Sequence, residues 1–217
     1  MRRTSQEIGF LFDLDGVLID SEKEYSRIWS QINKEFPTGI DNLEQVIKGT
    51  TLTKILNDYF TEENKDLVSS RLHELENQMK YEYLPYAEDF LKELKARNLK
   101  CVLVTSSDKE KMKHLKDEIE GLTEYFDYII TGDLVKTSKP SPEGYLLGAS
   151  KINVNPKNCV VFEDSLQGVM AGQNSRAFVV GVKGTIPTEK LQPYSDIIIN
   201  NFNDIDLEEL IGILTER

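Results

Sequence analysis

The sequence predicts an α/β protein: a doubly wound, mostly parallel sheet with a small helical domain inserted after its first strand. Three observations carry that expectation. From about residue 86 onward, short apolar runs alternate with amphipathic helical patterns, as in a parallel sheet covered on both faces. The first apolar run, Ile8–Phe12, is cut off from the rest by a stretch from Ser21 to about Tyr86 with no strand signal. Several runs also stop at Asp, Glu, Thr or Ser, at the strand ends where open α/β sheets bind their ligands.

Taken in order, Ile8-Gly9-Phe10-Leu11-Phe12 suits a strand buried on both faces and ends at Asp13-Leu14-Asp15-Gly16. Gly16 permits a sharp turn or a close backbone approach to a ligand. Glu22–Phe36 carries Tyr25, Ile28, Trp29, Ile32 and Phe36 on one helical face, with Ser21 placed as its N-cap. Pro37-Thr38-Gly39 breaks it. Shorter helices are expected at Leu43–Ile47 and Leu52–Phe60, and another starts at Thr61 and runs through Leu67, Leu72, Leu75 and Met79. This block reads as a helical domain over 22–87, inserted into an α/β core formed by 1–21 and 88–217. Within the core, Tyr86–Asn98 is helical and Leu99–Val104 is a strand ending in Thr105-Ser106-Ser107. Asp108 caps a helix over Lys109–Glu120, whose charge-rich sequence reads as a solvated face. Tyr128–Ile130 is a strand, and Pro142 suits the first turn of a helix through Ala149. Cys159–Phe162 is a strand ending in Glu163-Asp164-Ser165. Gly168–Asn174 is helical, Phe178–Val182 and Ile197–Ile199 are strands, and Leu207–Leu214 is the closing helix.

Composition narrows the partners. With 217 residues, 39% hydrophobic and 29% charged, the chain can bury a sizeable globular core. A net charge of −11 argues against nucleic acid and against anionic membrane surfaces. No run approaches the length of a membrane span. Arg2 and Arg3 precede an apolar run that Asp13 and Asp15 interrupt, so no signal peptide is expected. Cys101 and Cys159 lie in apolar runs and read as buried free thiols, which with no secretion signal points to the cytoplasm. His73 and His114 show no ligand spacing, so zinc is not expected. Trp29 reads as core of the inserted block. The expected partner is a small molecule, and the expected state a monomer or weak homo-oligomer.

The strand ends bring Asp13, Asp15, Thr105, Glu163 and Asp164 to one edge of the sheet, and a loop adds Lys139, held by Pro140. Carboxylates so crowded raise one another's pKa and stay ionised together only around a cation, for which oxygen-only ligands favour magnesium. A magnesium ion, a hydroxyl, a lysine and backbone N–H groups make a cradle for a phosphoryl group. A carboxylate beside the metal can then serve as nucleophile, giving an aspartyl-phosphate.

These residues carry a resemblance. DLDG at Asp13–Gly16 continued as VLIDSE, VTS at Val104–Ser106, KP at Lys139–Pro140 and ED at Glu163–Asp164 resemble, in order, the motifs of the haloacid dehalogenase superfamily. The likeness is to its β-phosphoglucomutase-like phosphatase branch, whose small helical cap the inserted block matches. The resemblance implies Asp13 as nucleophile and Asp15 as the acid for the leaving oxygen, then the base for water. It implies Thr105 and Lys139 as neutralisers of the phosphoryl oxygens, with Gly16, Ser106 and Lys48 also on the substrate or phosphate side. Magnesium would be held by Asp13, Asp164 and the carbonyl of Asp15, with Glu163 in or near that shell. The presence of Asp15 makes dehalogenation an unfavoured reading, because the dehalogenases lack this aspartate. Asp20, Ser21 and Glu22 are expected to form a hinge. Two departures from the mutase pattern stand out: Tyr25 replaces a cap histidine, and Lys48-Gly49 is followed by Thr50-Thr51-Leu52 with no arginine. Loss of that cationic grip favours transfer to water. The expectation is a magnesium-dependent phosphatase acting on a small phosphorylated metabolite, such as a sugar phosphate. A phosphosugar mutase is the alternative, and a weakly active phosphate-binding regulator the second.

Overall fold

The computed structural model describes residues 8–216; Arg2 and Arg3, on which the signal-peptide expectation turned, lie outside them. Six strands, β1 (Gly9–Phe12), β2 (Lys100–Val104), β3 (Tyr128–Ile130), β4 (Cys159–Glu163), β5 (Phe178–Val182) and β6 (Ile197–Ile199), form one sheet in the order β3-β2-β1-β4-β5-β6. Every neighbouring pair is parallel. The strand order reverses between β1 and β4, and such a switch point opens a crevice beyond the strands' carboxyl ends.

β1 is apolar throughout because both of its faces are covered. Phe10 and Phe12 pack into one layer with Phe90 and Leu94 of α5 (Ala87–Ala96) and Leu210 of α10 (Leu207–Glu216). Leu11 faces the other layer, with Val102, Val104 and Tyr145 and Ala149 of α7 (Glu143–Lys151). The Phe12 and Phe162 rings stack at 4.6 Å, with Phe90 edge-on to Phe12. Truncating such a buried ring costs about 3–5 kcal/mol, so the two strands that end in Asp13 and Glu163 are firmly held. α6 (Lys109–Glu118), α8 (Leu166–Asn174) and the short α9 (Thr188–Leu191) complete the crossovers.

Between β1 and β2 stand α1 (Glu22–Glu35), α2 (Leu43–Val46), α3 (Leu52–Tyr59) and α4 (Lys65–Glu76). α1 buries Ile28, Trp29 and Ile32, the stripe its periodicity foretold. The chain enters and leaves this block through adjacent strands of backbone: Asp20 N–H donates to Glu82 (3.0 Å) and Leu84 N–H to Leu18 (2.8 Å). The block also touches the sheet's carboxyl edge. Ser106 Oγ donates to the Gly49 carbonyl at 3.0 Å, and His73 Nε2 lies 2.8 Å from Asp108 Oδ2.

Several boundaries differ from the sequence expectation, each for a local reason. α4 begins at Lys65 rather than Thr61, because the Thr61 carbonyl accepts from Asn64 and Lys65 in a preceding turn. Tyr86 has φ +64°, so α5 starts after it. α8 starts at Leu166, two residues early, because Ser165 accepts from Gly168 N–H as an N-cap. Pro142 sits at the cap of α7 instead of in its first turn. Ser21 does not cap α1: its hydroxyl donates to Asp15. Asp108 does cap α6, accepting from Lys111 N–H. That helix is not simply a solvated face, since Lys111, Met112 and Leu115 are buried.

Cys101 and Cys159 are buried free thiols, and burial pushes the Cys159 thiol up to about 12, away from reactive thiolate. Among the described residues no helix is long and apolar enough to cross a membrane.

Candidate active site

The site forms where β1 and β4, hydrogen-bonded neighbours, both end in acid. Asp13 N–H donates to the Phe162 carbonyl at 3.0 Å, extending the ladder one residue past β1. Asp13, Glu163 and Asp164 are all buried, and each presents a carboxylate oxygen within 4.8 Å of the others. Lys139 reaches in from the loop before α7. Its Nζ lies 2.5 Å from both Asp13 Oδ1 and Glu163 Oε1.

Burial, then the charge of Glu163, pushes Asp13 up to about 7, even though Lys139 pulls the other way. Burial and the Glu163 and Asp13 charges raise Asp164 well above the carboxylate range. Burial works against the Lys139 ammonium, but Asp13 and Glu163 outweigh it and hold Lys139 above its usual value. One lysine therefore does not neutralise the three acids. The donor set is oxygen-only and short of positive charge, which fits a hard divalent cation.

The three acids are not equivalent. Glu163 is fully enclosed. Its Oε1 accepts from Lys139 and from Tyr145 Oη at 2.6 Å, and its Oε2 accepts from Ser165 Oγ at 3.1 Å and Asp164 N–H at 3.2 Å. A Cβ at Gly168 would overlap this carboxylate. Asp164 instead takes a hydrogen bond from Thr185 Oγ1 in the loop after β5. Gly16 has φ +77°, and a Cβ there would overlap the Asp164 carboxylate, so only glycine lets the two strand ends approach. Its N–H is already given to the Ile19 carbonyl (2.9 Å), so its contribution is space.

Asp15 is turned elsewhere. Both of its oxygens bind Lys111 Nζ of α6, at 2.7 and 2.6 Å. Ser107 Oγ donates to it at 3.1 Å, and Ser21 Oγ also donates. The Lys111 ammonium lies 4.1 Å from the centre of the Tyr25 ring, a favourable cation–π distance. Tyr25 Oη in turn donates to Glu76 Oε1 of α4 at 2.6 Å.

After β2, Thr105 is held by its N–H to the Ile130 carbonyl (2.9 Å). Its Oγ1 accepts from Ser107 N–H at 3.0 Å, and its own hydroxyl proton has no acceptor among the described residues. Ser106, grouped with the phosphate side in sequence, spends its hydroxyl on Gly49. Lys48 Nζ lies 2.5 Å from Glu22 Oε2. A pocket between the strand ends and the helical block is lined by Asp13, Asp15, Thr105, Lys48, Lys111 and Glu76, among others. Lys139 lies behind it, against Thr105 and Tyr145.

Sequence reasoning missed Lys111, Thr185, Tyr145 and Glu76. Lys111 had a signal, since Asp108, Lys111, Met112 and Leu115 follow the i, i+3, i+4, i+7 pattern of one helical face. Thr185 had none.

The family described as haloacid dehalogenase-like hydrolase matches residues 9–176. The chain belongs to that family. Among its relatives, this haloacid dehalogenase-like hydrolase is 28% identical over 202 residues to hexitol phosphatase A of Escherichia coli, covering 91% of this chain and 92% of that one. It is 31% identical to a phosphorylated carbohydrates phosphatase of Thermotoga maritima, covering 76% and 80%. It is also 31% identical to the bifunctional riboflavin kinase/FMN phosphatase of Arabidopsis thaliana, covering 92% of this chain but spanning only 54% of that protein. Among solved structures, β-phosphoglucomutase of Clostridium difficile superposes with a TM-score of 0.79 at 27% identity, covering 97% of each chain.

Proposed function

We propose that this protein is a magnesium-dependent phosphatase that hydrolyses a small phosphorylated metabolite, such as a sugar phosphate, through an aspartyl-phosphate on Asp13. The observation that carries the reading is the cluster of Asp13, Glu163 and Asp164 oxygens within 4.8 Å, bridged by Lys139 and opening on a pocket roofed by helices. The named activities of the relatives support the same class.

Asp13 and Asp164, with the backbone carbonyl of Asp15, would hold the ion; Glu163 is committed to Lys139, Tyr145 and Ser165 and acts mainly by holding them. Bound there, magnesium keeps the acids ionised and offsets charge on the phosphoryl oxygens. An Asp13 carboxylate oxygen attacks phosphorus, the ester P–O bond breaks, and Asp15 gives its proton to the leaving oxygen. Water then attacks the same phosphorus and yields a proton to Asp15, the Asp13–phosphorus bond breaks, and inorganic phosphate leaves. Thr105 donates to a phosphoryl oxygen, and Lys139 neutralises charge at Asp13. Residues 22–87 act as the cap that excludes bulk water, moving on the paired linkers near Leu18–Asp20 and Glu82–Leu84.

A mutase reading has the support of the β-phosphoglucomutase likeness. Hydrolysis is favoured because, among the described residues lining the pocket, neither lysine is uncommitted for a second phosphate: Lys48 is paired with Glu22, and Lys111 with Asp15. The test is phosphate release across a panel of phosphorylated metabolites with and without magnesium. Release that requires magnesium and vanishes in Asp13→Asn is expected. Conversion of a hexose 1-phosphate to the 6-phosphate without free phosphate would favour the mutase.

A further inference from the structure

The cap side of the pocket carries a buried carboxylate that the proposed chemistry does not use. Glu76, on the last turn of α4, is only 4% exposed, yet it lines the pocket with Asp15, Tyr25 and Lys111. Tyr25 Oη satisfies Oε1 at 2.6 Å, and among the described residues no side-chain or backbone donor reaches Oε2. That oxygen opens on the pocket, where with no protein donor it is left to accept from water or from a ligand's hydroxyl. The cations near it are committed: Lys111 binds both oxygens of Asp15, and Lys48 binds Glu22. Trp29, Ile55 and Leu72 add an apolar stretch of wall, and Glu22 and Glu44 add further acids.

We propose that Glu76 determines specificity: it accepts a hydroxyl of the substrate body and rejects a second anionic group. The inference rests on the phosphatase reading and sharpens it, from a phosphorylated metabolite to the monophosphate ester of an uncharged, hydroxyl-bearing body. The phosphate lies at Asp13, and the body reaches past Asp15 to Glu76 and the apolar wall. A carboxylate or second phosphate there would meet Glu76 with no uncommitted lysine or arginine among the described residues lining the pocket. Such built-in repulsion discriminates as strongly as attraction does.

Glucitol 6-phosphate and gluconate 6-phosphate form a matched pair, differing by a terminal hydroxymethyl against a carboxylate. Their binding to the magnesium-loaded Asp13→Asn protein is measured by calorimetry, so no turnover is needed. The alditol ester should bind about 30-fold more tightly than the aldonate ester, and adding Glu76→Gln should reduce that preference to about threefold or less. Equal binding of the two esters to the Asp13→Asn protein alone would overturn the inference, without depending on how the double variant folds. So would a preference unchanged by Glu76→Gln in a double variant whose melting matches its parent. Phosphate release by the wild-type protein is scored separately. Selective binding with no release from any ester overturns the phosphatase reading alone, and release with no selectivity in binding overturns this inference alone.

Discussion

Lys111 Nζ grips both oxygens of Asp15, at 2.7 and 2.6 Å, from a helix that the sequence presents as a solvated run of charges. The pair fixes where the proposed acid–base residue rests, and Asp108, which caps the same helix, ties it to His73 of α4. Lys111→Met should leave Asp15 half-buried beside two serines with no cation. We expect kcat to fall about tenfold, because the proton-transfer group loses its position. Stability should drop by about 1–3 kcal/mol, the scale of a lost charge-assisted hydrogen bond. Steady-state kinetics and urea unfolding check both, and Lys111→Arg should recover part of each.

The acids set a pH dependence whose sign follows from burial. Asp13 sits at about 7 in the folded protein, against 3.8 when exposed. Between those values the folded state holds a proton that the unfolded state has lost, so stability of the metal-free protein falls as pH rises from about 4 to 7. Asp164, also raised, acts in the same direction. Magnesium should reverse the trend, because it binds the ionised acids of the folded state only. Melting curves from pH 5 to 8, with magnesium or with chelator, should diverge as pH rises, and Asp13→Asn should flatten the metal-free slope.

Much of this arrangement was legible in the chain, because the signals were local. Phe12 followed by Asp13, and Phe162 followed by Glu163, mark the points where buried strands meet water. The run of helical periods between residues 22 and 76 is equally plain. What stayed hidden depends on contacts between distant segments. Ser21 looks like a helix cap until Asp15 is folded back beside it. Tyr145 reads as an apolar helix residue, yet its hydroxyl lies 2.6 Å from Glu163. Glu76 looks like one more surface acid, and only the packing of α4 over the strand ends encloses it.

Gly16 tests the geometry of the acid cluster without changing any charge. Alanine there would have to hold φ near +77° and overlap the Asp164 carboxylate. Gly16→Ala should cost about 1–3 kcal/mol in stability. It should also abolish most activity by displacing Asp164, whereas Gly39→Ala, equally strained at φ +77° but in open space, should lose stability alone. Unfolding and phosphate release on the two variants separate backbone strain from displacement of the acid.

Thr185 offers the sharpest test of how the proposed magnesium is held, because it lies outside the pocket lining and carries no charge. Its hydroxyl donates to Asp164 Oδ2 from the loop after β5, which helps to orient that carboxylate. Groups that orient a metal ligand usually govern affinity about 10–100-fold. Thr185→Val keeps the shape and removes the donor. The magnesium concentration for half-maximal phosphate release should then rise at least about tenfold, while kcat at saturating magnesium recovers to within about threefold of wild type. Thr185→Ser, which restores the hydroxyl, should return the half-saturation point towards its original value. If Thr185→Val instead lowered kcat at every magnesium concentration and left half-saturation unchanged, Thr185 would be steering the chemistry and not the ion.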